Sequence, residues 1–329
     1  MKRMYGFIAI ILVLLGIGYF QGGGFATNKT PKVGILTLMH HPALDQIHKG
    51  VVAGLKDEGY TDGKNIKIDY QNAQGDQSNL KTMSSKLVNE NSDILIGITT
   101  PAAQALANAT SKIPIVLGAV TDPKDAGLVK NNKKPGGNIT GISDQAPLKE
   151  QWQLIKDFMP NMQTLGVIYT SSDSSAVTEE KKFVAICKAE NVNVKTYSIS
   201  NSNDLNQVSQ QMLTEVDAVF VPTDNTIAGA MQTLVNNANA AKKPIFPTVD
   251  TMVKDGGLAT YSINQYKLGV RGGKIAGQIL KGKITTKDTP IDYIRHGDAT
   301  VNLKQAKKLG ITVPAKFLKE AQTDGEVFK

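Results

Sequence analysis

The sequence predicts an α/β fold: two Rossmann-like parallel-sheet lobes joined by a three-segment hinge, preceded by an N-terminal hydrophobic helix. Three observations lead there. Short apolar, β-branched runs alternate with helical segments through polar turns, the pattern of parallel strands with right-handed crossovers. That pattern runs twice, before and after a Gly-rich stretch at 135–144 (PGGNITGISD). The chain also has 329 residues, more than one ordinary domain uses. The division this implies is 1–30 as an N-terminal signal or membrane anchor and tether, 31–144 plus 264–290 as the first lobe, and 145–263 plus 291–329 as the second.

Lys2 and Arg3 precede an uncharged run from Met4 to Phe20, followed by Gln21 and three glycines. A basic flank before an apolar core is an export signal whose basic end stays in the cytoplasm. Its 17 residues sit at the short limit for a membrane-spanning helix. Gly24-Phe25-Ala26 offers a small-x-small cleavage site. The expected location is therefore extracytoplasmic, anchored to the cell membrane, or secreted if cut after Ala26.

Residues 32–38 then read as a first buried strand, 39–45 as a turn with Asp45 as N-cap, and 46–58 as an amphipathic helix with Ile47, Val51 and Leu55 on one stripe. Residues 65–70 alternate as a second strand, and a helix ends near Asn89. A third strand, 94–98, meets the turn Thr99-Thr100 and Pro101, which suits the first position of a helix. A fourth strand, 113–119, runs into Val120-Thr121-Asp122-Pro123. The Gly-rich stretch crosses over. The second round has helices at 151–159, 177–190 and 204–214 and strands at 164–169, 192–198 and 218–222. Thr223-Asp224-Asn225-Thr226 opens another helix, a return strand covers 257–263, a helix 265–280, and the tail near Thr300 rejoins the second lobe.

Composition narrows the chemistry. Formal net charge is +8, or +6 once Lys2 and Arg3 are set aside, but the lysines are dispersed and aromatics are 6%. Nucleic-acid binding needs a concentrated basic face, so none is expected. The single cysteine, Cys187, excludes internal disulfides and reads as a small buried hydrophobe. No Gly-x-Ser-x-Gly elbow, phosphate loop or His-Glu-x-x-His occurs, and no enzyme or cofactor is expected. His40-His41 has no third ligand at metal-site spacing.

Strand-end loops are where α/β sheets bind ligands. Those of the first lobe carry His40, His41, Thr99, Thr100, Thr121 and Asp122. Those of the second carry 170–175, Thr223, Asp224, Asn225 and Asp250. Hydroxyls and a helix start suit a carboxylate, and Asp224 or Asp250 an ammonium. Asp224 equally reads as the cap of its own helix, and Asp122, before Pro123, as a turn residue.

The chain from about 32 to 315 also resembles the substrate-binding proteins of ABC importers, in the branch for tryptophan and other aromatic amino acids. The matching runs are VGIL, HPALD, GKNIKIDYQNAQGD, GITTPAAQALA, AVTDPKDAGLV, PGGNITGISD, PTDNTIAGAM and DTMVKDGGLATYSINQYKLG. The resemblance implies a type I periplasmic-binding-protein fold, an aromatic amino acid as ligand, and delivery to an ABC permease and its ATPase. A membrane-tethered sensor using the same module is the alternative. It places His41, Pro42, Ala43 and Leu44 on one wall and gives the ligand carboxylate to Thr99, Thr100 and Ala102. Val120, Thr121, Asp122 and Ser143 fall near the hinge, with Thr223, Asp224, Asn225, Asp250 and Gln265 opposite. Two departures stand out. Relatives often carry a Ser-Glu-x-Asn-Ser turn where this chain has Ser172-Asp173-Ser174-Ser175-Ala176, and the lipid-anchoring cysteine common among them is missing.

Overall fold

In the computed structural model, which describes residues 30–294 and 296–329, two all-parallel sheets and a smaller mixed one share a single packed unit from Lys32 onward. The hydrophobic N-terminal segment read from the sequence lies outside the described residues. Among those described, no helix is long and apolar enough to cross a membrane.

The first sheet takes strands β1 (Lys32–Thr37), β2 (Lys67–Asn72), β3 (Ile94–Ile98), β4 (Ile115–Ala119), β5 (Ile139–Ser143) and β11 (Asp292–Tyr293), in the order β11-β5-β4-β3-β1-β2. Every residue of β3, β4 and β5 is buried, as expected of strands covered on both faces. Helices α1 (Pro42–Asp57), α2 (Gln77–Asn89) and α3 (Thr100–Ala109) follow β1, β2 and β3. In this order the chain reverses direction across the sheet between β1 and β3. The crevice beyond their carboxyl ends is where such sheets receive ligands.

The second sheet repeats the scheme with β6 (Thr164–Thr170), β7 (Asn193–Ile199), β8 (Ala218–Val221) and β9 (Ile245–Pro247), ordered β7-β6-β8-β9. Its switch point falls between β6 and β8. Phe183 stacks on Phe220 with ring centroids 3.6 Å apart at its core, and buried Cys187 belongs to the same cluster. The third sheet joins β10 (Ala259–Ser262), β12 (Asp298–Asn302) and β13 (Glu326–Phe328), with β10 antiparallel to β12. Leu258 N–H donates to Ile245 O, so β10 continues the edge of the second sheet.

The chain passes between first and second sheets three times, after Ser143, after Ser262 and after Tyr293. Gln151 ties two of these passages together. Fully buried, it donates through Nε2 to Tyr261 O at 3.0 Å and accepts from Tyr261 N–H at 3.3 Å.

Two sequence expectations are corrected. The first helix starts at Pro42, with His41 as N-cap. Pro supplies a helical φ and no amide to satisfy, so Asp45 falls inside the first turn and pairs with His40 at 3.0 Å. Residues 139–143, read as a Gly-rich crossover, form strand β5. Its approach to β4 would put a Cβ on Gly141 only 2.3 Å from Leu117 N, so glycine here permits the strand rather than breaking it. At the edge of the first sheet, Asp292 and Tyr293 pair with Ile142 and Ser143, and Thr140 Oγ1 donates to Thr289 O at 2.8 Å.

Helix α10 (Gln265–Leu280) returns to the first sheet and lies backbone to backbone on α1. A Cβ on Gly50 would come within 2.2 Å of Tyr266 O, and one on Gly269 within 2.1 Å of Ile47 O. Gly54 and Gly273 extend the seam. Gly272, on the same helix, has its nearest neighbour at an ordinary 3.6 Å. Gly269→Ala should therefore destabilise by about 1–3 kcal/mol or more through overpacking. Gly272→Ala should be neutral or stabilising by up to about 1 kcal/mol through helix propensity. Urea denaturation of the two variants is the measurement. Equal effects would mean the seam is not tight.

Candidate functional site

The two switch points face each other across a narrow cleft. Eleven of the residues expected from the sequence line it: His41, Ala43, Leu44, Thr99, Thr100, Thr121 and Gln265 from the first side, Ser175, Thr223, Asp224 and Asn225 from the second. Leu44, Ile47 and Ala119 make an aliphatic wall on one side, and Ala228 and Val249 on the other.

The polar residues are held by the ends of elements. Thr99 caps α3, its hydroxyl accepting from Ala102 N–H at 3.4 Å. Its backbone sits at φ 95°, ψ 154°, where a β-branched residue is strained. The strain arises where β3 slips register against β4, between Gly97 and Ile98. It places the threonine pair on the wall of the cleft.

His41 is buried, and Asn225 Oδ1 lies 3.1 Å from its Nε2. Burial lowers its pKa, so the ring is neutral. With Nε2–H donating to Asn225, Nδ1 is left a buried acceptor without a partner. This bond joins the two sides of the cleft. So does Lys182, on helix α5 (Ser174–Ala189), which reaches Asp122 at 2.7 Å and Asp125 at 3.0 Å.

Asp224 does what its cap reading expected. Oδ1 accepts from Ile227 N–H and from the Thr170 hydroxyl, both at 2.9 Å, and Oδ2 from Thr170 N–H at 2.6 Å. It thereby ties the end of β6 to the helix that follows β8.

The other expected residues lie outside the lining. Pro42 is exposed at the first position of α1, and Ala102 and Val120 are buried behind the wall. Ser143 Oγ donates to Thr121 O at 2.8 Å, steadying the loop that carries Thr121. Asp122 is taken up by Lys182. Asp250 heads a short helix and accepts from Thr251 N–H.

Two acids were not singled out from the sequence. Asp144 lines the cleft at the first passage between the sheets, and its Oδ1 is shut off from water without a partner. Glu179, 1% exposed on α5, lies beneath, accepting from Thr223 N–H and, at 3.4 Å, from Ala146 N–H. Only the proximity of Asp144 to Ser143 hinted at the first. Nothing in a helical run of 174–189 marked the second. Burial pushes Glu179 up to about 7 and Asp144, Asp224 and Asp250 up to about 6, with Asp173 adding repulsion at Asp224.

A family model for ABC transporter substrate binding proteins matches residues 32–324. A tyrosine-binding protein of Clostridioides difficile is 37% identical over 313 residues, 91% of this chain and 90% of its own. The solved structure of an ABC domain in complex with L-Trp from Streptococcus pneumonia is 43% identical and covers 91% of this chain and all of its own, with a TM-score of 0.87. The ligand-free, open structure of a substrate binding protein with adhesive properties from Clostridium difficile is 35% identical, covers 91% and 99%, and has a TM-score of 0.70.

A carboxyl whose pKa is raised by folding binds its proton more tightly in the native state. Its contribution is complete below the unfolded pKa and is lost as pH rises through the folded one. Ligand-free stability should thus fall between pH 4.5 and about 7, by up to about 3 kcal/mol for Glu179 alone. Glu179→Gln keeps a neutral side chain but only one acceptor oxygen. Denaturant titrations across that range should show it less stable overall yet with a flatter slope. An unchanged slope would mean Glu179 is ionised in the native protein.

Proposed function

Because the chain belongs to the family of ABC transporter substrate-binding proteins, we propose that it is an extracytoplasmic receptor that captures an aromatic α-amino acid and delivers it to a membrane permease. The observation that carries this is the composition of the cleft. Aliphatic walls face one another, and the strand ends of both sheets add hydroxyls, helix-start N–H groups and carboxyls. An apolar side chain with a zwitterionic head fits such a division.

In this reading the two parallel sheets with their helices are two jaws, and the three passages between them are the hinge. Residues 32–144 and 264–293 form the first jaw; residues 145–263 and 296–329 form the second. Thr99, Thr100 and the start of α3 receive the ligand carboxylate. Closure brings His41 to Asn225 and Lys182 to Asp122 and Asp125. The greater likeness to the L-Trp complex than to the open, ligand-free relative supports a closed arrangement here. Binding energy is then drawn from both jaws at once, so ligand selects the closed form.

Calorimetric titration with L-tryptophan, L-tyrosine, L-phenylalanine, L-leucine and ribose tests the function. An aromatic amino acid should bind with Kd at or below about 10 μM, roughly 7 kcal/mol of affinity, and the sugar should not. Binding of leucine or ribose alone would refute the reading. The Lys182 clasp is partly exposed, so it should contribute about 0.5–1 kcal/mol. Lys182→Ala should weaken affinity about two- to five-fold at low salt, less at 1 M salt, and enlarge the ligand-free particle in small-angle scattering. The neighbouring Lys181→Ala should do neither.

A further inference from the structure

Two carboxyls, Asp144 and Asp224, face the cleft, and their hydrogen bonding separates them. Asp224 receives three donors from the protein, the Thr170 amide and hydroxyl and the Ile227 amide. Oδ1 already accepts two of these and Oδ2 one, so a further donor finds a single lone pair left, on Oδ2. Asp144 is the reverse case. Its Oδ1 touches no water and accepts from nothing, a state that costs free energy until something fills it.

The charges that reach Asp144 are acidic as well. Asp173 opposes its ionisation, and Asp144 in turn opposes that of Glu179. The Thr121 side chain beside it is a neutral donor. With Asp173 beside it and no cation among the groups that act on it, the vacant acceptor is a position that a cation completes. Backbone position agrees with this, since Asp144 stands at the first passage between the jaws.

We propose that Asp144 is the residue that receives the ligand's ammonium group, while Asp224 is a positioning residue that holds the strand end and helix start of the second jaw. This rests on the reading of the ligand as an α-amino acid. The ammonium donates to Asp144 Oδ1 at the passage, and the ligand carboxylate turns toward Thr99 and Thr100. The orphaned oxygen thus becomes the element that tells an amino acid from the same molecule without its amine.

Calorimetry of the purified chain with L-tryptophan and with 3-(indol-3-yl)propanoate, which lacks only the amine, tests it, with L-tyrosine and its des-amino counterpart as a second pair. The wild type should prefer the amino acid at least tenfold. Asp144→Asn should lose most of that preference, with the des-amino compound bound about as before and the melting midpoint little changed. Asp144→Glu should restore part of it. Asp224→Asn should melt at lower temperature yet keep the preference. Retention of the wild-type preference by Asp144→Asn, or its loss in Asp224→Asn alone, would overturn the assignment. Equal binding of each pair by the wild type would overturn it while leaving the receptor reading intact. No binding of either aromatic pair would overturn both.

Discussion

The cleft hangs from two helices whose backbones touch. Where α1 meets α10, carbonyl oxygens of each helix occupy the space that a Cβ of the other would need, at Gly50, Gly54, Gly269 and Gly273. This contact fixes where the chain lands after its excursion through the second half. It sets Gln265, at the start of α10, beside Leu44 and Ile47 on α1, so one wall of the cleft is built by residues more than 200 positions apart. Side chains between the helices would have pushed that wall outward by several ångströms.

Around this fixed wall the polar lining is held under tension. Thr99 keeps a left-handed backbone that glycine would adopt freely, a cost of about 1–3 kcal/mol. His41 Nδ1 and Asp144 Oδ1 stay buried without partners. Burial makes the charge of Glu179 expensive and pushes its carboxyl up to about 7. A protein selected for stability alone would relax each of these. Their concentration at one crevice is the physical mark of a surface shaped for something other than itself.

Much of this was legible in the sequence, for reasons that differ by element. Buried parallel strands such as 94–98 and 218–221 announce themselves as apolar β-branched runs, and Thr99-Thr100-Pro101 and Asp224-Asn225 as helix starts. Eleven of the candidate residues line one cleft because strand-end loops are placed by topology, which the alternating pattern reveals. Strand β5 was hidden because its one glycine, Gly141, answers a tertiary demand, the nearness of β4, that local propensity reads backwards. Asp144 and Glu179 were hidden because their significance lies in which atoms lack partners, a property no spacing encodes. The hydrophobic start at Met4 to Phe20 lies beyond the described residues.

The lone sulfhydryl has a practical consequence. Cys187 is fully enclosed in the core that contains Phe183 and Phe220, and burial pushes its thiol up to about 12. Without thiolate it has little nucleophilicity, and oxidants and alkylating dyes have no path to it. The folded chain therefore offers a chemically silent background, on which cysteines introduced on opposite sides of the cleft would accept fluorophores cleanly and turn any change in their separation into light.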